Sequence, residues 1–174
     1  PWAASVVGVI PVAAPTRVRS RLAAAGDGPC KVLHARASAI YVDLDGWCLG
    51  ATPQSDAELS AAINRLEAES DAEGVWRREA NDNLAGAYQD AFDRLDAILH
   101  LRAPSFEIVH DWRCEQEESL LGRSLTGADR SRIARFIQHY ERITRHMMAG
   151  GRRADIEIQL DERRNVVEVR HLQS

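Results

Sequence analysis

AIYVDLDG, residues 39–46, is the stretch on which the fold turns. Its unbroken run of β-branched, aromatic and aliphatic side chains marks a strand buried on both faces rather than one that alternates between core and water. The run closes on Asp43, Asp45 and Gly46, so the strand delivers carboxylates to its carboxyl end. That end is where open α/β sheets place their binding and reacting groups.

Toward the C-terminus, strand and helix signals alternate. Ser55 stands three residues before Glu58, a capping-box spacing that starts a helix, and SDAELSAAINRLEAE continues it to residue 69. Between Asp71 and Asp96 the apolar positions Val75, Trp76, Leu84, Ala87, Tyr88, Ala91, Phe92 and Leu95 keep a helical period despite Gly86. AILHLRAP reads as a second strand closed by Pro104, and FEIVHDWRCEQEESLLGR as a further helix. From Gly127 a long helix carries Ile133, Phe136, Ile137, Tyr140, Ile143 and Met147 on one stripe and stops at Gly150 and Gly151. ADIEIQLDERRNVVEVRH ends the chain as two strands around a polar turn at 161–165. This alternation predicts an α/β domain: a mostly parallel sheet with helices on its faces.

Toward the N-terminus the pattern fades. Residues 1–38 mix prolines, small residues and arginines, with one strand expected from Ser5 to Val12, and are left unassigned; the domain is placed at 39–174. With 174 residues, one domain is expected. The balance of 45% hydrophobic and 28% charged residues excludes a disordered or membrane-embedded chain. A net charge of -4 predicts no general attraction to nucleic acid or to anionic membrane. Cys30, Cys48 and Cys114 are odd in number and form no C-x-x-C, so a reducing cytoplasm is the expected location. The apolar start lacks a basic leader and is broken by Pro11 and Pro15, so neither a signal peptide nor an anchor is read there. Histidine pairs at metal-binding spacing and a G-x-S-x-G elbow are both missing, which argues against zinc chemistry and the familiar serine hydrolases.

Four stretches taken in order carry a family resemblance: DLDGWCLGATPQ at 43–54, LEAESDAEGVWRREANDNLAGAYQDAFDRLD at 66–96, LRAPSFEIVHDWRCEQEE at 101–118 and RFIQHYERITRHMM at 135–148. Together they resemble the bacterial P-loop kinases related to D-glycerate 3-kinase, themselves similar to the uridine kinase and pantothenate kinase group. The resemblance covers roughly residues 39–169. It implies a P-loop NTPase-like fold, ATP and Mg²⁺ as cofactors, and phosphoryl transfer to a small hydroxylated acid such as glycerate.

The same resemblance assigns expected roles. Asp45, where the family tends to show glutamate, would orient the acceptor hydroxyl and, with Asp43, bind the metal. Asn83, Trp112, Arg113 and Gln116 would shape the acceptor side, since a guanidinium is suited to bidentate binding of a carboxylate. Arg123 and Arg130, flanking Gly122 and Gly127, would meet nucleotide phosphates as part of a lid. Arg132 and Arg135 would bring positive charge to the transferring group.

One component is missing. A triphosphate cradle needs G-x-x-x-x-G-K-[ST], because successive backbone N–H groups wrap the phosphates and the lysine neutralises them. The single lysine, Lys31, sits in GDGPCKV, which supplies no hydroxyl and includes a proline that removes one donor. The expectation is therefore a truncated or impaired copy lacking the Walker A unit. The alternative is a noncatalytic, pseudokinase-like binding or regulatory module.

Overall fold

A computed structural model describes residues 7–11, 30–36, 39–44 and 48–172. Six strands form one sheet in the order β2-β3-β1-β4-β5-β6. They are β1 (Val7–Pro11), β2 (Cys30–Arg36), β3 (Ala39–Leu44), β4 (Ala97–Arg102), β5 (Ile156–Leu160) and β6 (Val166–His171). The helices are α1 (Asp56–Leu59), α2 (Arg65–Ser70), α3 (Val75–Asn83), α4 (Gln89–Phe92), α5 (Glu107–Leu121) and α6 (Gly127–Met148). A π-helical turn, Leu84–Tyr88, joins α3 to α4 and contains Gly86.

The sheet is mixed, which corrects the expectation of a mostly parallel one. Only β4 and β5 pair in parallel, while β1 runs antiparallel to both β3 and β4. The reason is connection length. Residues 37–38 alone separate β2 from β3, and five residues separate β5 from β6. Such short links permit only antiparallel return, whereas β4 reaches β5 through two helices. Because β1 opposes both its neighbours, β3, β4 and β5 share one direction and their carboxyl ends lie along one edge. Residues 1–38, unassigned from the sequence, contribute β1 and β2 to this sheet.

The helix expected through residues 56–69 is broken in two. The Ser55–Glu58 capping box forms as read, but α1 ends at Leu59 and Asn64 caps a new helix by accepting the Glu67 N–H at 2.9 Å. Two arginines from elsewhere fill the break. Arg142 of α6 donates to the carbonyls of Glu58 at 2.7 Å and Ala61 at 2.6 Å, and Arg77 of α3 donates to that of Leu59 at 2.7 Å. Carbonyls left open at a helix end need donors, and buried guanidiniums supply them.

Two apolar clusters hold the layers together. Leu49, Ala51, Leu84, Phe92, Ile98 and Met147 pack between the sheet, the π-helical turn and the end of α6. Phe106, Cys114, Ile133 and Ile137 seal α5 against α6. Of the stripe read on α6, Ile133, Ile137 and Met147 are buried, whereas Phe136 remains exposed. Among the described residues, no helix is long and apolar enough to cross a membrane.

Candidate functional site

The loop after β3 is fixed by contacts on both sides. Gly50, at φ 81°, accepts the Arg153 N–H at 2.6 Å. A Cβ there would meet the Arg153 carbonyl oxygen at 2.4 Å, so only glycine lets these two segments approach. Thr52 donates its N–H to Gly151 at 3.0 Å, and its Oγ1 lies 3.1 Å from His146 Nε2. Gln89 reaches the Ala51 carbonyl at 2.9 Å. Asn81 then clamps Gln54, accepting its N–H at 2.7 Å and donating to its carbonyl at 3.1 Å.

Beyond Gln54 opens a cleft of about 190 Å³, lined among others by Trp76, Asn81, Gln138, His139 and Arg142. Its charged groups are already matched. Arg142 makes a two-point contact with Glu67 at 2.8 and 2.7 Å. Burial pushes the Glu67 carboxyl up, but hydrogen bonds from Arg142 and the Ile63 N–H outweigh it and hold the group below its ordinary range. Asp71 receives the N–H groups of Trp76 at 2.9 Å and Arg77 at 3.2 Å. These also outweigh the upward push of burial. The ions that line the cleft are therefore paired within the chain.

A second charged centre lies inside the sheet. Glu157 of β5 is only 1% exposed. It is contacted by Arg152, with Arg102 at 3.9 Å and Arg170 at 3.8 Å. His100 Nδ1 stands 3.6 Å from the same carboxylate and has no hydrogen-bond partner. Burial, with the positive charge of Arg152, lowers the His100 pKa to about 4, so its ring is neutral near pH 7. Arg152 also donates to the Met147 carbonyl at 2.8 Å, and its backbone bridges to Ala51. Glu157 thus ties the β3 loop, the end of α6 and the sheet to one anchor.

The residues expected from the sequence fall into separate places. Asp45 lies outside the described residues. Asp43 occupies β3 opposite Val7 and Lys31 in the backbone register. Asn83 is exposed and donates to its own helix, to the Glu79 carbonyl at 2.9 Å. Trp112 is buried, and its indole N–H donates to the Glu162 carbonyl at 2.8 Å while Arg164 covers the ring. It braces the β5–β6 hairpin. Arg113 bonds Gln116 and, at 2.5 Å, Glu117 on its own helix, and stacks 5.9 Å from the Phe136 ring.

The arginines expected to form a lid are each engaged by a carboxylate of the chain and do not converge on one point. Arg123 and Arg132 both bond Asp129. Hydrogen bonds from Thr126, then from these two arginines, hold the Asp129 carboxyl far below its ordinary range. Arg130 pairs with Glu118 at 2.8 Å and Arg135 with Glu69 at 3.2 Å. Each guanidinium that would meet a phosphate already has a carboxylate of this chain. Among the described residues no group of histidine, cysteine or acidic side chains is placed to hold a metal ion.

Sequence reasoning passed over Asn81, Arg142, His100 and Glu157. For Asn81 a signal existed: it lies four residues after Arg77 and three before Leu84, both buried, so all three share one helical face. For Arg142 and His100 there was none, because their partners lie far away in the chain.

No family model matches the chain. Over 102 residues, 58% of its length, it is 30% identical to the uncharacterized kinase mug58 of Schizosaccharomyces pombe, of which the match covers 35%. A solved D-glycerate 3-kinase from Cryptococcus neoformans var. grubii aligns with 79% of the chain at a TM-score of 0.54 and 17% identity. The fold is kinase-like. The chain spans 54% of that enzyme and about a third of the fission-yeast kinase. The structure of the YGR205w protein aligns with 83% of the chain, at 15% identity and a TM-score of 0.46 over 57% of that protein.

Proposed function

We propose that this chain is part of an ATP-dependent phosphotransferase of the D-glycerate 3-kinase type, acting on a small hydroxylated acid. The observation that carries the reading is the 30% identity with a kinase over 102 residues of the chain. In this reading Asp43 of β3 and Asp45, two residues further along the sequence, serve the metal and the acceptor hydroxyl. Arg113 with Gln116, beside Trp112, takes the acceptor carboxylate, and Asn83 contacts its hydroxyls. Arg123, Arg130, Arg132 and Arg135 form the lid, each exchanging its present carboxylate for phosphate oxygens. A reducing cytoplasm is the compartment that suits Cys48 and Cys114, which form no disulfide.

We further propose that this polypeptide alone turns ATP over slowly or not at all, because none of its 174 residues forms G-x-x-x-x-G-K-[ST]. Isothermal titration tests both parts separately. Mg-ATP is expected to give no saturable heat, and micromolar affinity would overturn the claim of impairment. D-glycerate is expected to bind and to raise the thermal midpoint, with Arg113→Ala abolishing the response. If neither glycerate nor other three-carbon hydroxy acids bind, the acceptor assignment fails. A noncatalytic module built on the kinase fold is the second reading, favoured by the engagement of all four lid arginines with carboxylates of the chain. Under that reading the acid gives no response either.

A further inference from the structure

β6 stands at the end of the sheet order, and among the described residues no strand pairs with its outer edge. All six of its residues are exposed, including Val166 at 60%, Val167 at 63% and Val169 at 53%. Such an edge presents unpaired backbone donors and acceptors together with apolar side chains, a combination that proteins ordinarily cover. The register with β5 shifts between Gln159 and Leu160, so the regular ladder of β6 is its later half, where Glu168, Val169 and Arg170 pair with Gln159, Ile158 and Glu157.

We propose that β6 is a dimerisation strand, and that a second copy of this chain pairs with it, antiparallel, about a two-fold axis through Val169. The self-complementarity of the strand selects this partner and this register. Two-fold antiparallel pairing sets one residue opposite its own copy, with the flanking residues crossing over. An axis at Glu168 opposes two glutamates, and an axis at Arg170 opposes two arginines; like charges directly opposite destabilise a ladder. An axis at Val169 sets valine against valine and places each Glu168 opposite Arg170 of the other copy. Within one chain Glu168 already bonds Arg170 at 2.6 Å, so the two charges share a face and pairing closes them into a four-membered ring across the interface. Arg170 also approaches Glu157 at 3.8 Å, which links the edge to the buried anchor of the sheet. The product is a continuous sheet that crosses both copies and leaves neither β6 edge open.

The test uses all 174 residues. Light scattering with sedimentation over a concentration series should show a dimer, and Val169→Lys should weaken it about tenfold or more by opposing two ammonium groups. Register is read by cross-linking. Opposed residues have Cα atoms about 4.5–5.5 Å apart, within disulfide range, so Val169→Cys should form an intermolecular disulfide under mild oxidation. Val167→Cys should stay at the wild-type background, since its copy would lie about 14 Å away along the strand. A chain that stays monomeric to roughly 100 µM overturns the proposal, as does a dimer indifferent to Val169→Lys. Equal cross-linking at positions 167 and 169 overturns the register and the two-fold axis with it. Both positions are exposed, and circular dichroism of each variant confirms that the fold is kept.

Discussion

Asn81 holds Gln54 by both of its backbone groups, accepting the N–H at 2.7 Å and donating to the carbonyl at 3.1 Å across 27 residues of chain. An amide side chain is the one neutral group able to imitate a strand partner in this way, with one donor and one acceptor side by side. The loop that leaves β3 is thereby set against α3 at the mouth of the cleft.

Replacing Asn81 with alanine should cost about 1–3 kcal/mol, since two partly buried backbone groups lose their partner. Asn83→Ala, two residues away, should fall within about 0.5 kcal/mol because its amide serves only its own exposed helix. Urea unfolding of the two variants decides the comparison. A larger loss at Asn83 would show that the clamp does not matter to stability.

Glu157→Gln should be far more damaging. The carboxylate is buried, and Arg152, Arg102 and Arg170 all face it. Removing its charge leaves buried guanidinium uncompensated, at a cost of about 3 kcal/mol or more. The shift in urea midpoint at pH 7 measures it, and a change below about 1 kcal/mol would deny the anchor its role.

Acid should destabilise the protein earlier than its carboxylates alone would dictate. His100 titrates at about 4 in the folded chain, against 6.5 for an ordinary imidazole. Its neutral form fits the fold, so the stabilising contribution is full above pH 6.5 and is lost as pH falls through 4, the loss reaching about 3 kcal/mol. His100→Gln should flatten the stability profile between those pH values. An unchanged slope in thermal midpoint against pH would refute this assignment.

Gly50→Ala should break the approach of the β3 loop to the segment that leads into β5. The added Cβ meets a backbone oxygen at 2.4 Å, and the backbone sits at φ 81°. Strain of this kind costs about 1–3 kcal/mol. Gly86→Ala, where an added Cβ touches nothing within 4 Å, is the matched control and should be neutral or slightly stabilising.

Much of the fold was legible where partners are close in sequence. The Ser55–Glu58 box, the helix read in FEIVHDWRCEQEESLLGR and the 161–165 turn formed, because each rests on hydrogen bonds spanning at most a few residues. The single helix read over 56–69 failed for the opposite reason. Arg142 reaches the Glu58 and Ala61 carbonyls from more than 80 residues away, and no local pattern reports that.

The candidate site divides along the same line. Periodicity placed Trp112, Arg113 and Gln116 on one helix and Arg130, Arg132 and Arg135 on another, since helical spacing is a property of neighbours. It did not show that Trp112 faces the hairpin, that each lid arginine has a carboxylate, or that a histidine and three arginines surround Glu157. Sequence alone determined the strand that ends in acidic residues, the helical stripes and the lack of a phosphate-binding motif. Tertiary structure decided the direction of β1, the break between α1 and α2, and the distant partners of Arg142 and His100. A buried charge takes as its partner whichever opposite group folding brings beside it in space, and chain order says little about which that will be.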